Sequence, residues 1–434
     1  MFRDSDATVV CWAMGITQHR NAVATVKEIV NVALLQGNIG KPGAGLCPVR
    51  GHSNVQGDRT MGIWEKVPPH FLDALQRVFG FDPPREHGLD TVAAIQALRD
   101  GKAKVFMGMG GNFVSAAPDT EVTEEAFRGA ELTVHVSTTL NRSHVVTGRE
   151  ALILPALGRS EKDLTGGREQ RVSVEDSMSA VHLSRGPLKP ASKQLRSEVD
   201  IVCSLALAVL GDRHGLPWEA FRSDYSEIRH RIAEVVPGCA AYDEKVSRPG
   251  GFVLPHPPRD TRTFQTDEGK ALFTVSPTDV SHVPEGRLLP QTLRSHDQFN
   301  TTIYGLDDRY RGISGGRRVV FVHADDIAAL GLSDGAMVDL VSEWSDGSER
   351  IALSFRVVPY EQPRGCAAAY YPETNPLVPL ESTAVGSNCP TSKSVIVRLE
   401  PARGGDERLS DATRVTGSGE TSGSKRTVEP HHLS

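Results

Sequence analysis

Residues 9–62 constrain their own topology. The apolar run VVCWAMGITQ breaks at a glycine, and Val23, Val26, Val30, Ala33 and Leu34 then recur at spacings of three and four. That spacing predicts one face of a helix over Arg20–Leu35, which QGNIGKPGAG stops. Strand, polar turn, helix and glycine-rich loop, in this order, predict an α/β unit whose loops offer backbone N–H groups to phosphate-bearing ligands. The segment that follows, PVRGHSNVQGDRTMG over Pro48–Gly62, packs glycines, side-chain amides, an arginine and a histidine without a hydrophobic period. It is suited to holding a ligand rather than to filling a core.

A second α/β unit starts near Thr91 with the helical VAAIQALRDG. The strand KVFMGMGGN, the acidic helix EVTEEAFRGA and the strands LTVHVSTT and ALILPAL follow. Alternation of this kind predicts a parallel sheet. From Gly158 the pattern loosens, and GRSEKDLTGGREQRVSVEDSMSAVHLSRG reads as an extended, wrapping segment before the helices SEVDIVCSLALAVLG and SEIRHRIAEVV. Pro and Gly cluster at RPGGFVLPHPPRD, a boundary signal. From Arg317 the chain turns β-rich, with a short helix DDIAALGL and the turn Ser333-Asp334-Gly335 between strands. Within HADD at 323–326, Asp325 is expected as the helix N-cap rather than as part of a metal cluster. The tail from Arg403 holds too few apolar residues to offset its ordering entropy, so disorder is expected over 403–434.

Charge excludes some classes of partner. Lys+Arg 48 against Asp+Glu 54 gives a net charge of -6, with no basic face for nucleic acid. No run reaches the roughly 20 apolar residues of a membrane span, and Asp4 and Asp6 stand where a signal peptide would be basic. A cytoplasmic location is the expectation. The six cysteines, at 11, 47, 203, 239, 366 and 389, form no CxxC, which predicts reduced, mostly buried thiols rather than a zinc ribbon or cluster. No strict GxGxxG followed by an acidic residue supports a nicotinamide-dependent dehydrogenase.

The pattern MGITQ at 14–18, GNIGKPG at 37–43, Arg50-Gly51 and Asn54-Val55-Gln56-Gly57 resembles the molybdopterin oxidoreductases, specifically the formate-dehydrogenase-like alpha subunits. The resemblance implies an α/β fold class, with parallel-sheet α/β units followed by a C-terminal double-psi β-barrel. It divides the chain into 1–52, a remnant of an α/β cofactor-binding domain; 53–157, a second α/β domain binding a guanylate arm; 158–285, a mixed helical and extended segment; and 286–402, the dinucleotide-binding barrel. The implied cofactor is molybdenum bis-molybdopterin guanine dinucleotide, and the implied reaction is a two-electron redox step on a small molecule, with a small anion such as formate as one candidate. An iron–sulfur cluster and the loop bearing the metal's protein ligand belong to a preceding region, so the chain is expected to be the C-terminal half to two-thirds of an enzyme and inactive alone. The electron-transfer partner is left open. A non-catalytic or degenerate molybdopterin-binding module is the alternative.

The resemblance assigns Arg50 to orienting the substrate. A guanidinium matches a carboxylate fork to fork, with a surface salt bridge as the competing reading. His52 stands where these enzymes more usually have glutamine; it can donate a hydrogen bond or relay a proton, or serve as a structural histidine. Cofactor contacts are expected at Met14, Gly15, Gln18, Gly51, Asn54 and Gln56. The loop after KVF adds Gly108, Gly110, Gly111 and Asn112, with Ser137 and Thr138 at the end of the next strand for the guanylate. Arg294, His296, Asn300 and Thr301, then Asn375, Asn388, Thr391 and Lys393, are the expected pterin and phosphate contacts of the last domain. No metal ligand is assigned.

Overall fold

The structure is a computed structural model that describes residues 2–403 apart from 53, 212, 279 and 302. The tail expected to be disordered therefore lies, from 404 on, outside the described residues. The first α/β unit forms as its sequence dictates. Strand β1 (Val9–Trp12) and β2 (Gly45–Pro48) pair in parallel, joined by the helix Ala22–Leu35. Strands β3 (Val105–Met109), β4 (Leu132–Ser137) and β5 (Glu150–Pro155) make a second parallel sheet. Its crossing helices are Thr91–Arg99, capped by Asp90 Oδ1 accepting from Ala93 N at 2.9 Å, and Thr120–Arg128. These helices cover one face with Ile95, Leu98 and Phe127. On β3, Val105, Met107 and Met109 are exposed, which is unusual for a parallel sheet.

The stretch read as extended and wrapping contains a sheet of its own. Strands β6 (Val172–Glu175), β7 (Ala180–Ser184) and β8 (Phe252–Val253) pair antiparallel. Asp176 Oδ1 accepts from Met178 N and Ala180 N, both at 2.9 Å, and this turn makes the hairpin. The hairpin alternates Val172, Val174, Val181 and Leu183, a period-two signal that the surrounding charges obscured.

The C-terminal part is one mixed six-stranded sheet in the order β14 (Val397–Pro401), β11 (Met337–Glu343), β12 (Glu349–Pro359), β10 (Val319–Val322), β13 (Cys366–Tyr370), β9 (Leu289–Leu293). It curls until its edges meet: Leu288 N donates to Val397 O at 2.9 Å and Val397 N returns at 3.0 Å. Val320, Val338, Leu340, Phe355 and Val357 fill its interior. The short helix Ala324–Ala329 begins two residues earlier than an Asp325 cap implies. His323, not Asp325, is the N-cap, its Nδ1 accepting from Asp325 N at 3.1 Å, which leaves Asp325 in the first turn where the helix dipole favours it. Leu380 leaves this sheet's loops to enter the core of the β3–β5 unit, and Arg350 of β12 pairs with buried Asp119 at 2.8 Å. These two contacts fix how the two units sit.

Candidate functional site

A cavity of about 610 Å³ opens where segments distant in sequence meet. The turn after β1 supplies Met14, Gly15 and Gln18, the end of β9 supplies Thr292 and Arg294, and the last loops supply Tyr371, Asn375 and Lys393. Backbone and side-chain bonds join the walls. Lys393 N donates to Gln18 O at 3.1 Å, Gln291 Nε2 donates to Lys393 O at 3.0 Å, and His19 Nδ1 meets Ser394 Oγ at 3.2 Å. Asn375 is buried, its Nδ2 donating to Ser115 O at 2.6 Å.

This cavity is positive. The Arg294 guanidinium reaches Met14 Sδ at 3.7 Å and lies 5.4 Å from the Tyr371 ring centre. Among the described residues Lys393 Nζ donates only to Thr292 O. Among the described residues neither cation makes an ion pair. Burial, and secondarily the charge of Arg294, bring the Lys393 amine down to about 8, and burial lowers Arg294 as well. Two half-desolvated cations without a counter-charge are a site for an anion.

A second group lies on the loop after β2. Arg50 is exposed, and its Nε and Nη2 donate to Gln56 Oε1 at 3.3 and 3.1 Å, a neutral partner that leaves its charge uncompensated. The missed hairpin holds this loop in place. Arg50 N donates to Ser177 Oγ at 3.2 Å, and Glu175 N donates to Asn54 Oδ1 at 3.0 Å. A Cβ at Gly57 would lie 2.2 Å from Asn54 Oδ1, so only glycine fits beneath that clamp. Asn300 Nδ2 donates to His52 Nε2 at 2.7 Å, which places the ring proton of neutral His52 on Nδ1; Phe299 stands edge-on at 6.0 Å.

Behind the cavity two buried charged centres hold the loop 294–312. Asp308 accepts from His296 Nδ1 at 3.0 Å, Arg311 Nη1 at 2.6 Å and the Tyr370 hydroxyl at 2.8 Å. Burial raises its carboxyl, but these three donors overcome it and bring it down to about 2. Arg311 Nη1 also donates to Arg294 O at 3.1 Å, tying Asp308 to the cavity cation. A group whose folded pKa is depressed stabilises the fold above its unfolded value and loses that contribution as pH falls toward the folded one. Asp308→Asn should therefore cost on the order of 3 kcal/mol at neutral pH and remove part of the acid-unfolding step between about pH 4 and 2. Denaturant titrations at pH 7 and pH 3 check it, and equal costs at both would refute the charge argument. The other centre is Arg317, which pairs with Glu373 at 2.7 Å.

Not every expected contact faces the cavity. Thr391 is buried, with its hydroxyl donating to Ser382 O at 3.1 Å, and Asn112 Oδ1 accepts from Ser143 Oγ at 2.9 Å. Asn388 Nδ2 donates to Asp90 Oδ2 at 2.8 Å, and Ser137 Oγ meets His144 Nε2 at 3.1 Å. These four, with Asn54, are committed to internal bonds. Thr301 is buried, and His296 turns to Asp308. Gly108 packs under Phe106, where a Cβ would meet the ring at 2.9 Å, whereas Gly110 and Gly111 take φ of 71° and 75° in an open loop, and Gly51 is exposed with open space beside it. Thr138 borders a second cavity of about 340 Å³ with Arg159, Asp163 and Tyr225. Sequence reasoning missed Tyr371 and Arg317; the only signal for Arg317 was a charge at the mouth of an all-apolar strand.

Residues 2–203 match the sequence profile of the molybdopterin oxidoreductases. Over these residues the chain is similar to the molybdopterin oxidoreductases. It is 65% identical over 405 residues to the uncharacterized oxidoreductase Rv2900c of Mycobacterium tuberculosis, covering 92% of this chain and 52% of that protein. It is 44% identical over 403 residues to protein YdeP of Escherichia coli K12, covering 92% and 53%. The chain thus spans about half the length of the curated relatives it matches. Acetylene hydratase from Pelobacter acetylenicus shares its fold with a TM-score of 0.61 over 93% of this chain and 62% of that one, at 13% identity. No helix among the described residues is long and apolar enough to cross a membrane. The expectation of mostly buried thiols fails, since only Cys203 and Cys239 are buried.

Proposed function

We propose that the positive cavity holds a phosphate-bearing arm of molybdenum bis-molybdopterin guanine dinucleotide, and that the complete protein uses it for two-electron redox chemistry on a small anion such as formate. One observation carries the reading: Arg294 and Lys393 share a cavity of about 610 Å³ without a counter-charge. The residues fit such a group. Lys393 and Arg294 would meet phosphate oxygens, Asn375 and Gln18 would meet polar edges of the pterin, and Thr138 with its cavity would take the guanylate. The curled sheet whose edge strands meet at Leu288 and Val397 is consistent with the double-psi barrel of this reading. When bound, the group supplies a metal centre that accepts or donates two electrons.

The chain's own residues then bind and orient. The Arg50 fork takes the carboxylate of the substrate, since Gln56 aims the guanidinium without neutralising it. His52, with its Nε2 held by Asn300, keeps a proton at Nδ1 that can move to or from a substrate atom. Arg50→Ala in the complete protein should retain metal and guanine nucleotide while turnover falls by about a hundredfold or more. Metal analysis and nucleotide release, read beside activity, separate the roles. Full activity in that variant would end the substrate assignment, and absence of guanine nucleotide from the unmutated protein would end the cofactor assignment.

A further inference from the structure

Six cysteines that show no pairing in sequence acquire one in the fold. β1 and β2 align Cys11 directly opposite Cys47. Registered residues on neighbouring strands lie roughly 4.8 Å apart at Cα and point to the same face, inside the window of about 4.4–6.8 Å that a disulfide spans. Both thiols are free. Cys11 is exposed and Cys47 is half-buried beside it. We propose that Cys11 and Cys47 are a peroxide-responsive dithiol, a modification site that closes into a cross-strand disulfide.

The order of events follows from exposure. Burial, then Cys11 and Asp176, push the Cys47 thiol up, so the exposed Cys11 meets the oxidant first. Cys11 thiolate attacks one oxygen of hydrogen peroxide, the O–O bond breaks, and the departing hydroxide takes a proton to leave as water. Cys47 sulfur then attacks the Cys11 sulfenic sulfur. The S–S bond forms, and the second water leaves with the Cys47 proton. Two thiols have lost two electrons and one peroxide has become two waters.

The position gives the bond a consequence. β1 runs directly into Met14 and Gly15 of the cavity wall, and β2 into the loop of Arg50 and His52. A two-stranded pair is marginal by itself, so a covalent tie across it fixes the spacing of both loops. What that spacing does to a bound cofactor rests on the function proposed above; the cross-link itself does not.

The test treats the purified chain with hydrogen peroxide, alkylates it, and maps the peptides by mass. The peptide bearing Cys11 should be found joined to the peptide bearing Cys47, with two of the six free thiols lost and both restored by dithiothreitol. In Cys47→Ser, which lacks the resolving sulfur, dimedone should capture Cys11 as its sulfenic acid. Recovery of both cysteines alkylated after peroxide, or their pairing with other cysteines or a second chain, overturns the proposal. Cofactor content is read in a separate sample, so the two readings can fail independently.

Discussion

Arg317→Met is expected to destabilise the protein by about 3–5 kcal/mol, the largest effect of any single substitution outside the apolar cores. Arg317 is 5% exposed and uses its whole donor fork. It binds Glu373 at 2.7 and 3.3 Å, Ser295 Oγ at 2.9 Å, Gln298 Oε1 at 2.9 Å and Tyr371 O at 2.8 Å, with its guanidinium 4.4 Å from the Tyr304 ring centre and 4.8 Å from that of Tyr370. Removing the cation strands Glu373 as a largely desolvated carboxylate and frees Ser295 and Gln298, on which the chain leaves β9. Lysine should rescue little, because a point charge cannot reproduce five directed donors. Arg317→Met combined with Glu373→Leu should recover most of the loss, since replacing both partners removes the orphaned charge. Equilibrium unfolding of the three variants decides it, and a double variant no better than the single one would mean that packing, not charge, dominates.

Lys393→Met should weaken pyrophosphate binding by roughly tenfold to a hundredfold, the range of a charge-assisted bond lost from a partly buried site. The pH dependence has a definite sign. Folding lowers the Lys393 pKa from 10.5 to about 8, so between these values the unfolded chain holds a proton that the folded chain has released. Stability of the empty protein therefore rises with pH across that window. A bound phosphate favours the charged amine and so opposes that trend, making affinity highest below about pH 8 and falling above it. Calorimetric titration with pyrophosphate between about pH 6.5 and 9.5 should show the fall in the unsubstituted protein and a flat profile in Lys393→Met. A wild-type affinity independent of pH would remove Lys393 from the site.

The elements that sequence reading placed well are those whose signal is local. The helices Ala22–Leu35 and Thr91–Arg99 repeat apolar residues at helical spacing, and the glycines at 37 and 101 stop them. The hairpin of β6 and β7 was lost because its turn depends on Asp176 side-chain bonds and its short strands sit among charges. Asp325 was expected to cap its helix because aspartate does so more often; the chain enters two residues earlier, and His323 makes the bond instead. The cavity shows the same division. Met14, Gln18, Arg294 and Lys393 came forward through the family resemblance, and folding brings them together. Tyr371 and Arg317 did not, since an aromatic after a strand and an arginine before one are ordinary until their partners arrive from elsewhere. Thr391 and Asn112 carried the right chemistry and point inward, and side-chain direction of that kind is set by tertiary packing.

The joining of Gln18 and His19 to Lys393 and Ser394 spans 375 positions between His19 and Ser394. During synthesis the early segment emerges long before the late one exists, so until the residues near 393 emerge the first wall of the cavity faces no second wall. An anion arriving then meets neither Lys393 nor Arg294. The pocket is therefore completed only once the segment bearing Lys393 and Ser394 has left the ribosome, and an anion held between both walls is captured after that point.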